Sequence, residues 1–512
     1  MFHGQLITYK MTKMKNIKYI LLSAVLIGFT ACNDEEDYEK FLDNPLEEEV
    51  LPALTAGSAN FSNYVSIGNS LTAGFTDNAL FIAGQENSMP NILSQKFALA
   101  GGGGFTQPLM DDNIGGLLFG GVQNIDGSFG PRLYFNGSGP AVLPATSTTE
   151  AFAPSIGSHN NMGVPGAASF HLLYDGYGNP GNLLTTPATA NPYYVRMASA
   201  PNATVLGDAL AQQPTFVSLW IGNNDVLGYA TSGGESNTMS PNYNPITPSA
   251  GPPGVGFDQT IGAIVGALQA SGTQGVMANI PYITTIPHFT TVPYNPVPLD
   301  ATTADALNAG YATYNGGLQF ALANNLITAE EVTTRTILFE ESESNSMVLI
   351  DETLTDLSSF GIPSYRQSTS EDLFVLPLSS LIPSGYGTQI ALEDKWVLLP
   401  SEQNEIKTAT DLFNATLEAA ASSAGFAFVD ANSLMQQLHT GGFADGDFIL
   451  TSSLVTGGAF SLDGVHPTAR GYALLANEFM KAIDTTYGSN FEASGNLVDI
   501  GTYPTNYPPS LQ

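Results

Sequence analysis

Ser70 stands in a turn that follows a short apolar segment near the start of the chain. Residues 64–67 (YVSI) are apolar, and Gly68, Asn69 and Ser70 come directly after them, which is typical of a strand that ends in a turn. A serine hydroxyl becomes a useful nucleophile only when a neighbouring base takes its proton. Gly, Asn and Ser are also common in turns that have no catalytic role. Whether Ser70 is a nucleophile therefore depends on partners elsewhere in the chain.

A carboxylate and an imidazole near the C-terminus have a spacing that could provide such a base. Asp463 precedes His466 by three residues in the sequence LDGVHP. In a turn that brings the two side chains together, Asp463 would fix the tautomer of His466 and stabilise its protonated form. None of the other five histidines follows an Asp or Glu at this spacing. His466 is therefore the candidate base and Asp463 its partner.

Two further turns carry groups that could stabilise the negative charge of an oxyanion. The sequence GNND at 222–225 follows the apolar residues 216–221, and a side-chain amide there could donate a hydrogen bond. The glycines of NMGVPG at 161–166 would let a backbone N–H approach a ligand closely. Each sequence alone is also an ordinary turn. These turns can stabilise an oxyanion only if the fold brings them close to Ser70.

The chain around these turns alternates short apolar strands with amphipathic helices. Strands are predicted at residues 64–67, 216–221, 276–280 and 426–429. Helical spacing of apolar residues predicts helices that contain Ile261, Ile264, Val265 and Leu268; Leu307, Tyr311, Tyr314 and Leu318; Ile406, Phe413 and Leu417; and Leu475, Phe479 and Ile483. This alternation predicts an α/β three-layer sandwich with a central parallel sheet. Ligands of such sheets bind beyond the carboxyl ends of the strands, where the loops after residues 67 and 221 would lie.

Three long stretches rich in turn-forming residues interrupt the alternation. They lie near residues 101–160, 231–256 and 326–400. Loops of this length within a compact domain are usually functional covers or small insertions. Because the chain has no internal repeat and no interdomain linker, we expect one domain at 61–486 enlarged by these insertions, followed by a C-terminal tail at 487–512.

The N-terminus has the pattern of an export signal. Four lysines precede an apolar run at residues 20–29 that is too short to span a bilayer comfortably. Cys32 follows, and it is the only cysteine, so no disulfide forms within the chain. Residues 1–31 resemble a bacterial lipoprotein signal peptide, with Phe29 where leucine is usual. The resemblance implies cleavage before Cys32 and lipidation of its thiol.

The charge of the chain limits its partners. The sequence has 14 Lys+Arg against 46 Asp+Glu, a net charge of -32 at pH 7, which argues against nucleic-acid binding. Residues 32–60 are predicted to form an acidic, solvated tether. Together with a lipidated Cys32, this predicts attachment to the outer membrane through an N-terminal lipid anchor. The periplasmic and surface faces both stay open, and the sequence does not indicate an oligomeric state.

The four turn sequences, taken in this order, resemble the SGNH branch of the GDSL esterases and lipases. They are GNSL at 68–71, NMGVPG at 161–166, GNND at 222–225 and DGVH at 463–466. The sequence HPTARGYALLANEF at 466–479 also resembles the last helix of that family. The resemblance covers nearly the whole predicted domain and implies the flavodoxin-like SGNH-hydrolase fold.

The resemblance also implies a role for each candidate residue. Ser70 would be the nucleophile, with His466 and Asp463 completing a Ser-His-Asp triad. The backbone N–H groups of Ser70 and Gly166 and the side chain of Asn224 would form the oxyanion hole.

Two features depart from the pattern of the family. Asn69 stands where the family name has aspartate, so a hydrogen-bonding role in the turn remains and a charged role is lost. Residues 226–462 separate the third sequence block from the last, a long interval for this family. We expect the inserted segments to build the substrate pocket.

The predicted reaction is the hydrolysis of a carboxylic ester through an acyl-enzyme, without a metal or other cofactor. The sequence has no His-Glu-x-x-His, no paired-cysteine site, no P-loop and no Gly-x-Ser-x-Gly. The first candidate substrate is a lipid or fatty-acyl ester near the cell envelope. A carbohydrate O-acetyl ester is an alternative, since aromatic side chains pack on both lipids and sugars. A non-catalytic surface lipoprotein of the same fold that binds glycans or other ligands is another.

Overall fold

The computed structural model describes residues 50–124, 127–235, 244–446 and 448–512. The chain divides into two units, Met1–Pro52 and Ala53–Gln512, and every strand and helix of the described ranges belongs to the second unit. The predicted signal peptide, Cys32 and most of the predicted tether lie outside the described residues. Within those ranges, no helix has the length and apolar character needed to cross a membrane.

The second unit contains fifteen short strands and thirteen α-helices among its described residues. The strands are β1 (Tyr64–Gly68), β2 (Leu133–Phe135), β3 (Pro140–Val142), β4 (Asn161–Gly163), β5 (Phe216–Trp220), β6 (Gln274–Ala278), β7 (Val297–Leu299), β8 (Ser342–Asn345), β9 (Val348–Ile350), β10 (Tyr365–Gln367), β11 (Leu373–Phe374), β12 (Val397–Leu398), β13 (Ala427–Val429), β14 (Phe443–Asp445) and β15 (Phe448–Leu450). The helices are α1 (Ser70–Ala73), α2 (Ile82–Glu86), α3 (Met89–Leu99), α4 (Pro192–Met197), α5 (Val205–Ala211), α6 (Asn224–Thr231), α7 (Phe257–Ala270), α8 (Pro287–Thr290), α9 (Ala301–Ala323), α10 (Ala329–Arg335), α11 (Pro400–Ala424), α12 (Ala431–Thr440) and α13 (Ala469–Tyr487).

Five parallel strands form the central sheet, in the order β13-β6-β5-β1-β4. From β1 the chain first adds β4 on one side and then β5 on the other. The strand order therefore reverses between β1 and β5, and α/β folds bind ligands beyond the carboxyl ends of strands at such a reversal. The predicted α/β fold with a central parallel sheet is confirmed, and the flanking helices are consistent with a three-layer sandwich.

Helices cover both faces of the sheet, which explains why its strands are continuously apolar. All five residues of β1 and of β5 are buried. Val65 and Val217 lie in one core with residues of α5, α7 and α11. Tyr64 and Phe216 point to the other face and pack with residues of α3 and α13. Alternate residues thus serve two cores, as expected for a parallel sheet buried on both sides.

The edge strand β4 was not among the predicted strands, because NMG alone reads as a turn. It becomes a strand by pairing with the carboxyl end of β1. Glycine is needed there, since a Cβ on Gly163 would lie 2.4 Å from the backbone nitrogen of Ala73 in α1. A Cβ on Gly68 would lie 2.1 Å from Thr72 Oγ1. These two glycines let α1, which begins with Ser70, pack directly on the sheet.

The long segment between β6 and β13 includes an additional layer from β7 to β12, which shares buried residues such as Leu349 with the core that contains Val65. Helix α9 was predicted as a helix, and its apolar residues pack in two small clusters with residues of that layer, such as Leu307 with Ile337 and Leu318 with Ile362. Arg366, buried in the layer, donates to Asp372 at 2.7 Å. The segment predicted to be an insertion near 326–400 therefore packs with α9, which precedes it.

Both ends of the second unit pack against it. Ser58, within the predicted tether, donates its backbone N–H to the carbonyl of Tyr487 at 2.8 Å. The fully buried guanidinium of Arg132 donates to the carbonyls of Pro508 and Leu511, both at 2.8 Å. Residues 53–60 and the C-terminal tail are thus parts of the folded unit, because their backbone groups complete its hydrogen bonding.

Candidate active site

Ser70 is the first residue of α1, at the carboxyl end of the central strand β1. The side chain of Asn69 caps this helix by accepting the N–H of Leu71 at 3.0 Å. The same amide donates to Asn223 Oδ1 at 3.0 Å, in the turn after β5. The turn role predicted for Asn69 is therefore confirmed, and this residue joins the two loops on either side of the reversal in strand order.

The structure brings Ser70, His466 and Asp463 into one hydrogen-bonded chain. His466 Nε2 lies 2.9 Å from Ser70 Oγ, and His466 Nδ1 lies 2.9 Å from Asp463 Oδ2. An ionised Asp463 accepts the Nδ1–H, so Nε2 is left to accept the hydroxyl proton of Ser70. Ser70 is only 7% exposed. The arrangement is that of a serine activated by an oriented imidazole.

The carboxylate of Asp463 accepts hydrogen bonds on both oxygens. Oδ1 accepts the backbone N–H groups of Val465 and His466, both at 2.8 Å. Oδ2 accepts the backbone N–H of Asn78 at 2.8 Å in addition to the imidazole. Burial acts to raise the pKa of Asp463, but the adjacent imidazole of His466 and the hydrogen bonds from His466 and Val465 outweigh it and hold the pKa below its ordinary value. Asp463 therefore remains a carboxylate that can orient the imidazole.

Residues 75–78, here called the support segment, connect the nucleophile helix to the loop of His466. Asp77 Oδ1 accepts the N–H of Leu462 at 3.1 Å, and Thr76 Oγ1 donates to the carbonyl of Pro467 at 2.9 Å. Burial raises the pKa of Asp77 to about 7. The ring of Phe75 lies 4.7 Å from that of His466, measured between ring centroids. The support segment thus holds the loop of His466 on both sides of the imidazole.

Sequence reasoning missed the support segment. Asp77 and Asn78 both have left-handed backbones, with φ of 51° and 62°. Asp and Asn are the non-glycine residues that most readily adopt this conformation. The adjacent pair Asp77-Asn78 after the serine turn could have indicated a left-handed turn. Nothing in the local sequence showed that this turn contacts residues almost four hundred positions away.

Asn224 lines the same cavity as Ser70 and His466. Its Nδ2 donates one N–H to the carbonyl of Ala167 at 2.9 Å, which leaves the second N–H of the amide for another acceptor. Ser70 opens α1, so its own N–H has no acceptor within the helix. Both groups are thus able to donate to an oxyanion.

Gly166 is not among the residues that line this cavity. It has a left-handed backbone with φ of 81°, next to Ala167, whose carbonyl holds Asn224. The preceding carbonyl, that of Pro165, accepts from Asn191 Nδ2 at 2.8 Å. Within the described ranges, the Gly166 N–H makes no hydrogen bond. The structure therefore places Gly166 beside the turn that holds Asn224, but outside the wall of the cavity that contains Ser70.

Asp225 is a second residue that sequence reasoning missed. It is fully buried, and it accepts the N–H of Ser169 at 2.8 Å and the hydroxyl of Ser169 at 2.6 Å. Burial raises the pKa of Asp225 to about 6, although these hydrogen bonds act to lower it. Asp225 thereby ties α6 to the segment that follows Gly166. Its position directly after Asn224 in the sequence GNND could have marked Asp225 as a residue near the site.

Two cavities meet at His466. The first, here called the α12–α13 cavity, has a volume of about 90 Å³ and contains Ser70, Asn224 and His466 in its wall. The second, here called the hydroxyl cleft, has a volume of about 720 Å³ and is bordered by Asp463 and His466. Val465 borders both. The protein therefore has open space on either side of the imidazole of His466.

One group of three carboxylates in the described ranges, away from Ser70, has the spacing that a cation would need. Oxygens of Glu352, Asp394 and Glu402 all lie within 4.8 Å of one another. Burial, aided by the charge of Glu352, raises the pKa of Asp394 to about 7. Burial raises the pKa of Glu402 to about 8, aided by the charge of Asp394. Protonation of the buried carboxyl groups would relieve their repulsion without an ion.

No family model, curated protein or solved structure matches this chain. The function must therefore be argued from the residues of the site and their geometry.

Proposed function

We propose that this protein is a serine ester hydrolase of the SGNH type that acts through an acyl-enzyme. The observation that carries the proposal is the hydrogen-bonded chain from Ser70 Oγ through His466 to Asp463. It is supported by the position of Ser70 and Asn224 at the carboxyl ends of β1 and β5, on either side of the reversal in strand order. The four SGNH-like sequence blocks support the same assignment.

The first half of the reaction forms the acyl-enzyme. His466 Nε2 takes the hydroxyl proton of Ser70 while Oγ forms a bond to the ester carbonyl carbon. Asp463 stabilises the imidazolium that results. The N–H groups of Ser70 and Gly166 and the second amide N–H of Asn224 donate to the carbonyl oxygen as it becomes an oxyanion. The bond to the alcohol oxygen then breaks, and His466 gives the proton to the departing alcohol.

The second half repeats these proton transfers with water. His466 takes a proton from water as the water oxygen bonds to the acyl carbon. The bond between that carbon and Ser70 Oγ then breaks, and the proton returns from His466 to Oγ. The products are a carboxylic acid and an alcohol, and Ser70 is restored.

A fatty-acyl or lipid ester is the substrate class we propose first. The wall of the α12–α13 cavity is largely apolar, which favours a hydrocarbon group next to Ser70. A carbohydrate O-acetyl ester would place only a methyl group there. Hydrolysis of acetyl esters alone would support that alternative.

We also propose that the protein is an exported bacterial lipoprotein attached to the outer membrane through Cys32. The basic and apolar pattern of residues 1–31 supports this. Labelled palmitate should enter the protein in bacteria that express it, and Cys32→Ala should abolish the incorporation. Ser70→Ala is the matched control and should keep the label. Equal incorporation in both variants would refute lipidation at Cys32.

A fluorophosphonate probe tests the proposed chemistry, because it reacts with activated serines. The wild type should be labelled, and Ser70→Ala should not be. Ser62→Ala, which alters an exposed serine, should be labelled as the wild type is. Labelling of Ser70→Ala at the wild-type level would contradict the proposal. No labelling of a folded wild type would favour a non-catalytic binding protein.

A further inference from the structure

The α12–α13 cavity begins at the nucleophile and extends between the last two long helices. Part of its wall consists of buried apolar residues from one face of α12 and from α13, namely Ala431, Leu434, Met435, Leu438, Leu474 and Leu475. Residues that are only partly buried, including Leu71, Phe460 and Val465, lie in the same wall with Ser70 and His466. The cavity thus extends from Ser70 and His466 to the apolar faces of α12 and α13.

The chemistry of the wall limits what the cavity can hold. No charged carboxylate, ammonium or guanidinium group lines it among the described residues, and its polar side chains are those of the catalytic site and Trp220. The indole N–H of Trp220 already donates to the carbonyl of Asn279 at 3.0 Å. A sugar in this cavity would therefore leave most of its hydroxyl groups without partners, at a high cost in free energy. A hydrocarbon chain has no such groups.

The hydroxyl cleft, on the Asp463 side of His466, has a mixed wall, in which apolar side chains such as Leu376 and Val455 alternate with hydroxyl groups. Four exposed hydroxyl side chains border it, from Ser138, Thr291, Ser379 and Ser380. In the proposed reaction His466 gives its proton to the leaving alcohol, so the alcohol must lie next to the imidazole. Three of these hydroxyls, those of Thr291, Ser379 and Ser380, donate to backbone carbonyls and keep their oxygens free to accept from an alcohol. The cleft thus has room and acceptors for the alcohol, and the more uniformly apolar α12–α13 cavity is left for the acyl group.

We propose that the α12–α13 cavity binds the acyl chain of the ester and selects straight chains of about four to eight carbons. The range comes from comparison with a cavity that binds benzene and from the rise of an α-helix. This inference rests on the proposed ester hydrolysis. It names the acyl part of the substrate, and it excludes a purely acetyl-specific enzyme.

Two measures of the cavity set this range. An engineered cavity of about 150 Å³ binds benzene, so on that scale about 90 Å³ holds roughly four carbons. The face of α12 from Ala431 to Leu438 is roughly 10 Å long, which matches an extended chain of about eight carbons. The volume gives the lower limit because it counts only space that is already open. The length gives the upper limit because flexible side chains such as Met435 can move aside.

Chain length should therefore control the rate of hydrolysis. Each buried methylene should raise kcat/KM about fourfold, until the cavity is full. We expect p-nitrophenyl butyrate and octanoate to exceed the acetate in kcat/KM, and the laurate to fall below the octanoate. A bulky acyl group such as benzoyl should be a poor substrate.

Substitutions of Leu438 can make the α12–α13 cavity either smaller or larger. Leu438→Trp should fill the cavity and lower the octanoate-to-acetate ratio of kcat/KM at least tenfold, by the loss of two or more methylene contacts. Leu438→Ala should open the cavity and move the preferred chain length upward. Gln437 is the adjacent, exposed residue of α12, and Gln437→Trp and Gln437→Ala should leave the ratio unchanged. If Leu438→Trp does not fold, the preferred chain length of Leu438→Ala still tests the proposal.

The outcomes separate this inference from the proposed function. Ser70-dependent hydrolysis that is fastest with acetate would contradict the acyl-binding role of the cavity. An octanoate-to-acetate ratio of kcat/KM that neither Leu438 variant changes would also contradict it. Either result would leave the proposed ester hydrolysis intact. If no ester is hydrolysed, the proposed function fails, and calorimetry with octanoic acid then tests the cavity directly. Binding that Leu438→Trp abolishes and Gln437→Trp keeps would support the cavity. No binding to the wild type would overturn it.

Discussion

Asn78 donates its backbone N–H to the same carboxylate oxygen of Asp463 that accepts Nδ1–H from His466, at 2.8 and 2.9 Å. The donor belongs to the support segment, which follows the nucleophile helix directly. The orientation of the base therefore depends on backbone from the nucleophile's own end of the chain.

Loss of the charge on Asp463 should lower kcat much more than it lowers the stability of the fold. In Asp463→Asn, an amide no longer stabilises the imidazolium and can favour the wrong tautomer of His466. We expect kcat to fall on the order of 10⁴-fold, as for the comparable change in other triads. Thermal unfolding should show whether the variant is folded. A folded variant that loses less than tenfold would contradict the role of Asp463.

Removal of the amide of Asn224 should reduce kcat on the order of 100-fold or more, as the loss of one oxyanion donor does in other hydrolases. KM should change little, because the interaction grows in the transition state. Steady-state kinetics of Asn224→Ala measure both constants.

Asn191→Ala is the matched control for Asn224→Ala. Asn191 holds the carbonyl of Pro165, beside Gly166, but is not among the residues lining the α12–α13 cavity. We expect a smaller loss of kcat than in Asn224→Ala. Equal losses in the two variants would mean that Asn224 acts only by holding the turn.

Asp77 should make stability depend on pH. Burial raises its pKa from the ordinary value of 3.8 to about 7, so between these values the folded state holds a proton that the unfolded state has lost. The contribution of Asp77 to the free energy of unfolding is thus present below about pH 4 and is lost as the pH rises to about 7. Asp77→Asn keeps an acceptor for Leu462 and cannot ionise.

Urea unfolding of the wild type and Asp77→Asn at several pH values measures this effect. The stability of the variant relative to the wild type should rise from pH 4 to pH 7, by at most about 1.4 kcal/mol per pH unit. A difference that does not change over this range would show that Asp77 titrates normally in the folded protein.

Gly163→Ala should disturb the nucleophile helix. The new Cβ would lie 2.4 Å from the backbone nitrogen of Ala73, so α1 must move away from β4. We expect a lower melting temperature and a loss of kcat of at least tenfold, since a displacement of about 1 Å at a reacting group can cost about 100-fold. Circular dichroism and ester hydrolysis provide the two measurements.

Gly262→Ala is the control for Gly163→Ala. Gly262 is exposed on α7, and its added Cβ would meet no atom within 4 Å. Alanine in a helix should keep activity and raise stability by roughly 0.5–1 kcal/mol. Unchanged activity in Gly163→Ala would mean that α1 tolerates displacement from the sheet.

The local sequence was sufficient to predict the parallel sheet and to single out Ser70, Asp463 and His466, which the structure brings together. Continuous apolar runs such as that of β5 predict strands buried on both faces, because water-facing strands alternate. Helical spacing correctly placed α7, α11 and α13, and also α9. It did not show that α9 packs with the segment from β7 to β12, because periodicity reports that a helix has an apolar face and not which surface covers it.

The sequence by itself determined the chemistry that is available: one serine in a strand-end turn, one carboxylate three residues before an imidazole, and turns with amide and glycine donors. The tertiary structure alone decided that Ser70 and His466, 396 residues apart, lie 2.9 Å from each other. It also decided the contacts of the support segment, the burial of Asp225 and the shape of the α12–α13 cavity. The physical reason is that local pattern records the preference of a residue for turn, strand or apolar surroundings. Contacts between distant segments depend on how all the layers pack together.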